Sequence, residues 1–119
     1  MPDEVRLNEE MGIIEVNSYG VVTKDDISGS IEKIQQIQSE TGVDKLLVDT
    51  TRQETLPNPI EIFEVFSVYP REIKTALLVN TSQTTAKDVE FVETVALNRG
   101  KHMKVVHDRE QALQWLDNW

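Results

Sequence analysis

Apolar residues recur along this chain in short runs set apart by polar, turn-forming stretches, and the period within each run assigns it to a strand or a helix. Val5 to Leu7 and Gly12 to Val16 read as the two strands of a hairpin joined through Asn8-Glu9-Glu10-Met11, the second continuing after a kink through Tyr19-Gly20-Val21-Val22. Thr23-Lys24-Asp25-Asp26 has the form of a capping box, with Thr23 as N-cap and Asp26 at N3. Ile27, Ile31, Ile34 and Ile37 or Gln38 follow at helical spacing, and Gly42 suits the left-handed position that ends a helix. Lys45-Leu46-Leu47-Val48-Asp49 is then an unbroken apolar run closed by a carboxylate, the pattern of a strand covered on both faces. The polar stretch Thr50 to Thr55 after it reads as a loop.

In the second half, Asn58-Pro59-Ile60-Glu61 opens a helix: Asn58 caps, and Pro59 sits at N1, where its missing N–H is no loss. Ile60, Ile62, Phe63, Val65, Phe66, Val68 and Tyr69 leave that helix little polar surface before Tyr69-Pro70 stops it, so core packing and a subunit or ligand contact both fit. Ile73 to Asn80 reads as a central strand and Thr85-Ala86-Lys87-Asp88 as the cap of a third helix, which Asn98-Arg99-Gly100 ends. Met103 to Val106 is a last short strand. Asp108-Arg109-Glu110-Gln111 opens the last helix, which Ala112, Leu113, Trp115 and Leu116 anchor to the body. The order predicts one α/β domain over residues 1–119, with a mixed sheet of about five strands flanked by four helices.

Composition narrows the chemistry. The 119 residues include no cysteine, which rules out disulfides, a thiolate nucleophile and cysteine-ligated zinc or iron–sulfur sites. Residues 1 to 64 hold 14 acids against 5 bases and residues 65 to 119 hold 7 against 7, so the net charge of −9 resides in the first half. An acidic surface repels phosphate backbones and anionic headgroups, which argues against nucleic-acid or membrane-surface binding. Met1-Pro2-Asp3-Glu4 lacks the features of a signal peptide, and no apolar stretch approaches the roughly 20 residues that span a bilayer. A soluble cytoplasmic protein is the expectation.

Two C-terminal stretches carry a family resemblance: Glu93-Thr94-Val95-Ala96-Leu97-Asn98-Arg99-Gly100, and Val105-Val106-His107-Asp108-Arg109-Glu110-Gln111-Ala112-Leu113-Gln114-Trp115-Leu116. Together with Gly20-Val21-Val22-Thr23 and the strand ending in Asp49, they are similar to small bacterial domains of the STAS/SEC14-like, or SpoIIAA-like, group over roughly residues 12 to 116. The resemblance implies a mixed sheet flanked by helices, a cytoplasmic location, no catalysis, and regulation exerted by binding a protein or a small, lipid-like ligand. Anti-sigma-factor antagonists of that group are switched at a serine within an Asp-Ser-Ser/Thr-Gly pattern. Here the corresponding place falls near Pro57-Asn58-Pro59, without hydroxyl or glycine, and Thr55 is the nearest hydroxyl.

Candidate chemistry is sparse. Asp49, at a strand's carboxyl end with Thr50, Thr51 and Arg52 beside it, could serve as a general base or cation ligand, but the favoured reading is an acceptor that holds its own loop through the N–H groups there or pairs with Arg52. His102 and His107 stand at an odd offset, which sends them to opposite strand faces and makes a shared metal geometrically poor. Each glycine is isolated, so phosphate-cradling loops are absent. Arg99, Lys101 and Lys104 form a basic cluster that suits either a helix terminus or the acidic half of a second copy. The expectation is therefore a non-enzymatic interaction module without cofactor or metal. It binds a protein partner, with a homodimer expected, and a small apolar ligand is the alternative. Asp49, Thr50, Thr51, Arg52, Thr55, Asn58, Phe63 and Phe66 are its expected contact residues.

Overall fold

A computed structural model describes residues 3–21, 23–55, 73–79, 90 and 102–117. These form, in order, β1 (Asp3–Asn8), β2 (Ile13–Val21), α1 (Lys24–Thr41), β3 (Lys45–Thr55), β4 (Lys74–Leu78), β5 (His102–Val106) and α2 (Arg109–Asp117). The strands lie side by side in chain order; β1 runs antiparallel to β2, and β2 through β5 are mutually parallel. The expected mixed α/β architecture with five strands is thus present. Two of the expected helices are α1 and α2, and those opening at Asn58 and Thr85 lie outside the described residues.

Local chemistry explains the boundaries. The β1–β2 hairpin turns through Gly12, whose φ of 65° is open to glycine and whose N–H donates to the Asn8 carbonyl at 2.9 Å. At the start of α1 the Thr23 hydroxyl accepts from Asp26 N–H, and the Asp26 carboxylate accepts from Thr23 N–H, closing the capping box. Gly42, at φ 75°, ends the helix by donating to the Gln38 carbonyl at 2.8 Å.

Strand alternation divides the core into two layers. Ile14, Val16, Leu46, Val48, Leu77, Val79 and Val105 point to the α1 side, against Ile31 and Ile34. Ile13, Leu47, Ala76, Leu78 and Val106 point to the other side, against Ala112 and Leu116 of α2. Leu46 and Leu47, at 0% and 1% exposure, bear out the reading of that run as a strand covered on both faces.

One element departs from expectation. Thr50 to Thr55, read as a loop, is the outer half of β3. The reason is β2, which also runs on: Tyr19 pairs with Arg52, Gly20 with Gln53 and Val21 with Thr55, so the backbone groups of this polar stretch find a ladder partner. The kink expected after Val16 is the register shift between Asn17 and Tyr19, where β3 carries one residue more than β2.

Candidate functional site

The carboxyl ends of the parallel strands gather the polar side chains. Asn17 and Asp49 are register partners, as are Asp49 and Leu78, so Asp49 stands where β4 stops and β3, among the described residues, continues with β2 alone. Its carboxylate accepts from Thr51 N–H at 2.9 Å and from the Thr51 hydroxyl at 2.6 Å. Asp49 therefore shapes the chain at the irregularity of β3, by the local side-chain-to-backbone bonding typical of Asp. Thr50, 2% exposed, donates from its hydroxyl to the Leu78 carbonyl at 2.8 Å, tying β3 to the end of β4.

Beneath α2 lies a buried carboxylate. Glu15 sits mid-β2 between Ile14 and Val16, on the α2 side of the sheet, with its side chain only 3% exposed. One oxygen meets Nη1 of Arg109, the first residue of α2, at 2.5 Å. The other accepts from Asn8 Nδ2 at 2.9 Å and lies 3.8 Å from Nη2 of Arg6, its cross-strand register partner. Burial by itself pushes the Glu15 carboxyl up, but the hydrogen bonds from Arg109 and Asn8 and the charges of Arg109 and Arg6 outweigh it, and the group is held below its ordinary value. Arg109 is raised in return, first by its hydrogen bond to Glu15, against desolvation, and further by the charges of Glu15 and Asp49.

The opposite end of the sheet is held by Lys74, which opens β4 and is 6% exposed. Its ammonium donates to the Trp115 carbonyl at 2.5 Å and lies 4.4 Å from the centre of the Trp115 ring. Burial, and then the neighbouring Lys45, push this lysine down. An open cleft of about 430 Å³ adjoins this end, with Ile13, Leu113 and Leu116 on its floor and Glu10, Lys45 and Asp117 around it.

Asp49, Thr50, Thr51 and Arg52 are brought together as consecutive residues of β3, although Thr50 is buried and Arg52 exposed. Thr55 closes the same strand, and Asn58, Phe63 and Phe66 lie outside the described residues. Of the basic cluster, Lys104 is exposed on β5, while Arg99 and Lys101 lie outside the described residues. His102 and His107 are exposed at the start of β5 and just past its end. Sequence reasoning passed over Glu15 and its partners. The available signal was a carboxylate inside an otherwise apolar strand, which requires a buried partner. Exposed apolar side chains also collect at the outer end of β2, where Tyr19 and Val21 are 42% and 58% exposed beside Arg52.

Five strands in chain order, one antiparallel edge, and helices on both faces place the chain among proteins with a SpoIIAA-like fold. An uncharacterized protein of the DUF3478 family from Shewanella loihica PV-4, described as having that fold, is similar at a TM-score of 0.62 and 14% identity, over 96% of this chain and 91% of that one. That likeness bears out the fold resemblance read from the sequence. No protein-family model and no curated protein matches the chain. Among the described residues no helix is long and apolar enough to cross a membrane.

Proposed function

We propose that this chain is a non-enzymatic, cytoplasmic regulatory module that acts by binding another protein through the outer end of β2 and β3. The observation that carries the reading is the exposure of Tyr19 and Val21 beside Arg52, where the two strands run past the end of β4. Exposed apolar side chains next to a guanidinium are the composition of protein contact surfaces. Asp49 and Thr50 support that surface, because their hydrogen bonds fix the course of β3 into it. Asn58, Phe63 and Phe66, the other expected contact residues, lie outside the described residues. Self-association into a homodimer belongs to the reading as well.

A small apolar or lipid-like ligand is the alternative, resting on the apolar character of Ile60 to Tyr69 in the sequence. Partner capture from extracts of the native cell distinguishes the two, comparing the unaltered chain with Tyr19→Ser/Val21→Ser and with Arg52→Ala. The module reading expects a defined partner that both variants lose while their melting temperatures hold. Equal capture by all three chains would remove this surface from the interaction. A stoichiometric apolar molecule in the native mass spectrum would favour the carrier. Turnover that Asp49→Asn abolishes without unfolding the chain would overturn the non-enzymatic reading.

A further inference from the structure

β1 is a terminal strand of the sheet, and no described strand pairs with its outer edge. Its side chains alternate cleanly. Val5 and Leu7, both half-buried, pack into the α1-side core, whereas Glu4 and Arg6 are exposed, and Arg6 points to the other side with Glu15. The Asn8 carbonyl is turned into the hairpin, where Gly12 N–H donates to it. Alternation then directs the backbone groups of Arg6 and Glu4 toward β2, and those of Val5 and Leu7 toward the open edge.

We propose that this edge takes a second copy of the chain, with the two β1 strands pairing antiparallel about Val5 to give a continuous sheet through a two-fold axis. The charge pattern selects both occupant and register. In such a sheet, paired residues share a face, so the axis passes through a residue position or an equivalent even offset. Centred on Glu4 or Arg6, the pairing sets like charges directly opposite each other, which is destabilising. Centred on Val5, it sets Glu4 against Arg6 of the second copy and Arg6 against its Glu4, two complementary pairs from one self-complementary segment. The Val5 backbone groups, already directed outward, then face each other across the axis. The half-buried Val5 side chains meet on the α1 side. The opposite edge strand, β5, carries exposed Lys104 at its midpoint, and the same two-fold pairing there would oppose two lysines.

This deepens the self-association included in the proposed function and is independent of partner capture. The test is sedimentation equilibrium of the full chain across a concentration series, alongside Glu4→Arg, Arg6→Glu and the combined swap, each checked by thermal melting. The expected result is a dimer whose dissociation constant rises about tenfold or more in Glu4→Arg, since the symmetry repeats each lost pair. The combined swap restores association toward the unaltered level. Because Arg6 also lies near Glu15, Glu4→Arg is the decisive single variant. A dimer indifferent to Glu4→Arg overturns this interface and leaves self-association standing. An unaltered chain that stays monomeric at about 100 μM, far above the concentrations at which stable dimers form, overturns both.

Discussion

Arg109 and Glu15 join the last helix to the second strand: the guanidinium of the first residue of α2 meets a carboxylate that the sheet otherwise buries. Lys74 holds the other end of the same helix through the Trp115 carbonyl. A helix of 9 residues is too short to persist alone, so these two polar anchors and the packing of Ala112 and Leu116 set its position.

Removing Arg109 leaves Glu15 buried with only Asn8 and the more distant Arg6 among the described residues. Arg109→Ala should therefore destabilise the fold by roughly 2–3 kcal/mol, somewhat below the figure for a fully buried pair because the guanidinium is half exposed. Adding Glu15→Gln to that variant should restore part of the loss. Urea denaturation of the single and double variants measures the coupling, and strict additivity would show that the pair contributes nothing of its own.

Acid should weaken the fold through the same carboxylate. Glu15 lies below its ordinary value of 4.5 in the folded chain and regains that value on unfolding. Its contribution is complete above the ordinary value and is lost as pH falls through the lowered one. Glu15→Gln should flatten the acid limb of a plot of urea midpoint against pH, and an unchanged limb would assign acid sensitivity to other groups.

Lys74 acts at the alkaline end with the opposite charge. Burial and Lys45 hold it below its ordinary 10.5, so the unfolded chain binds more protons between the two values. Stability from this residue rises with pH across that window. Lys74→Met should abolish that alkaline gain and change stability near neutrality by only about 1 kcal/mol, since a lost hydrogen bond and ring contact are offset by removing a buried charge. Melting temperatures measured between neutral and alkaline pH decide it.

Thr50→Val keeps the shape of a buried side chain and leaves the Leu78 carbonyl without its hydroxyl donor. The expected loss is about 1–2 kcal/mol, with faster amide exchange at the end of β4. Protection unchanged at Leu78 and Val79 would show that another donor takes over.

How far the sequence alone reaches can be judged residue by residue. Thr23, Asp26 and Gly42 announced both ends of α1, because capping chemistry acts over a few residues and is written where it acts. Leu46 and Leu47 announced a strand covered on both faces, because unbroken apolar runs have few other uses. The likeness of the fold was legible for the same reason: local patterns in sequence order prescribe elements in order.

The tertiary structure decided what the polar residues do. Thr50 to Thr55 became strand because β2, more than thirty positions earlier in the register, offered them a ladder. Glu15 became tolerable in a core strand because Arg109 and Asn8, distant from each other along the chain, converge on it. Asp49, read from the sequence as the holder of its own loop, is bonded to Thr51 as expected, but within a strand that β2 prolongs. Hydrophobic periodicity is a property of neighbouring residues and survives in the sequence. The partner of a buried charge or of a strand edge is chosen across space, and only the folded chain brings the two together.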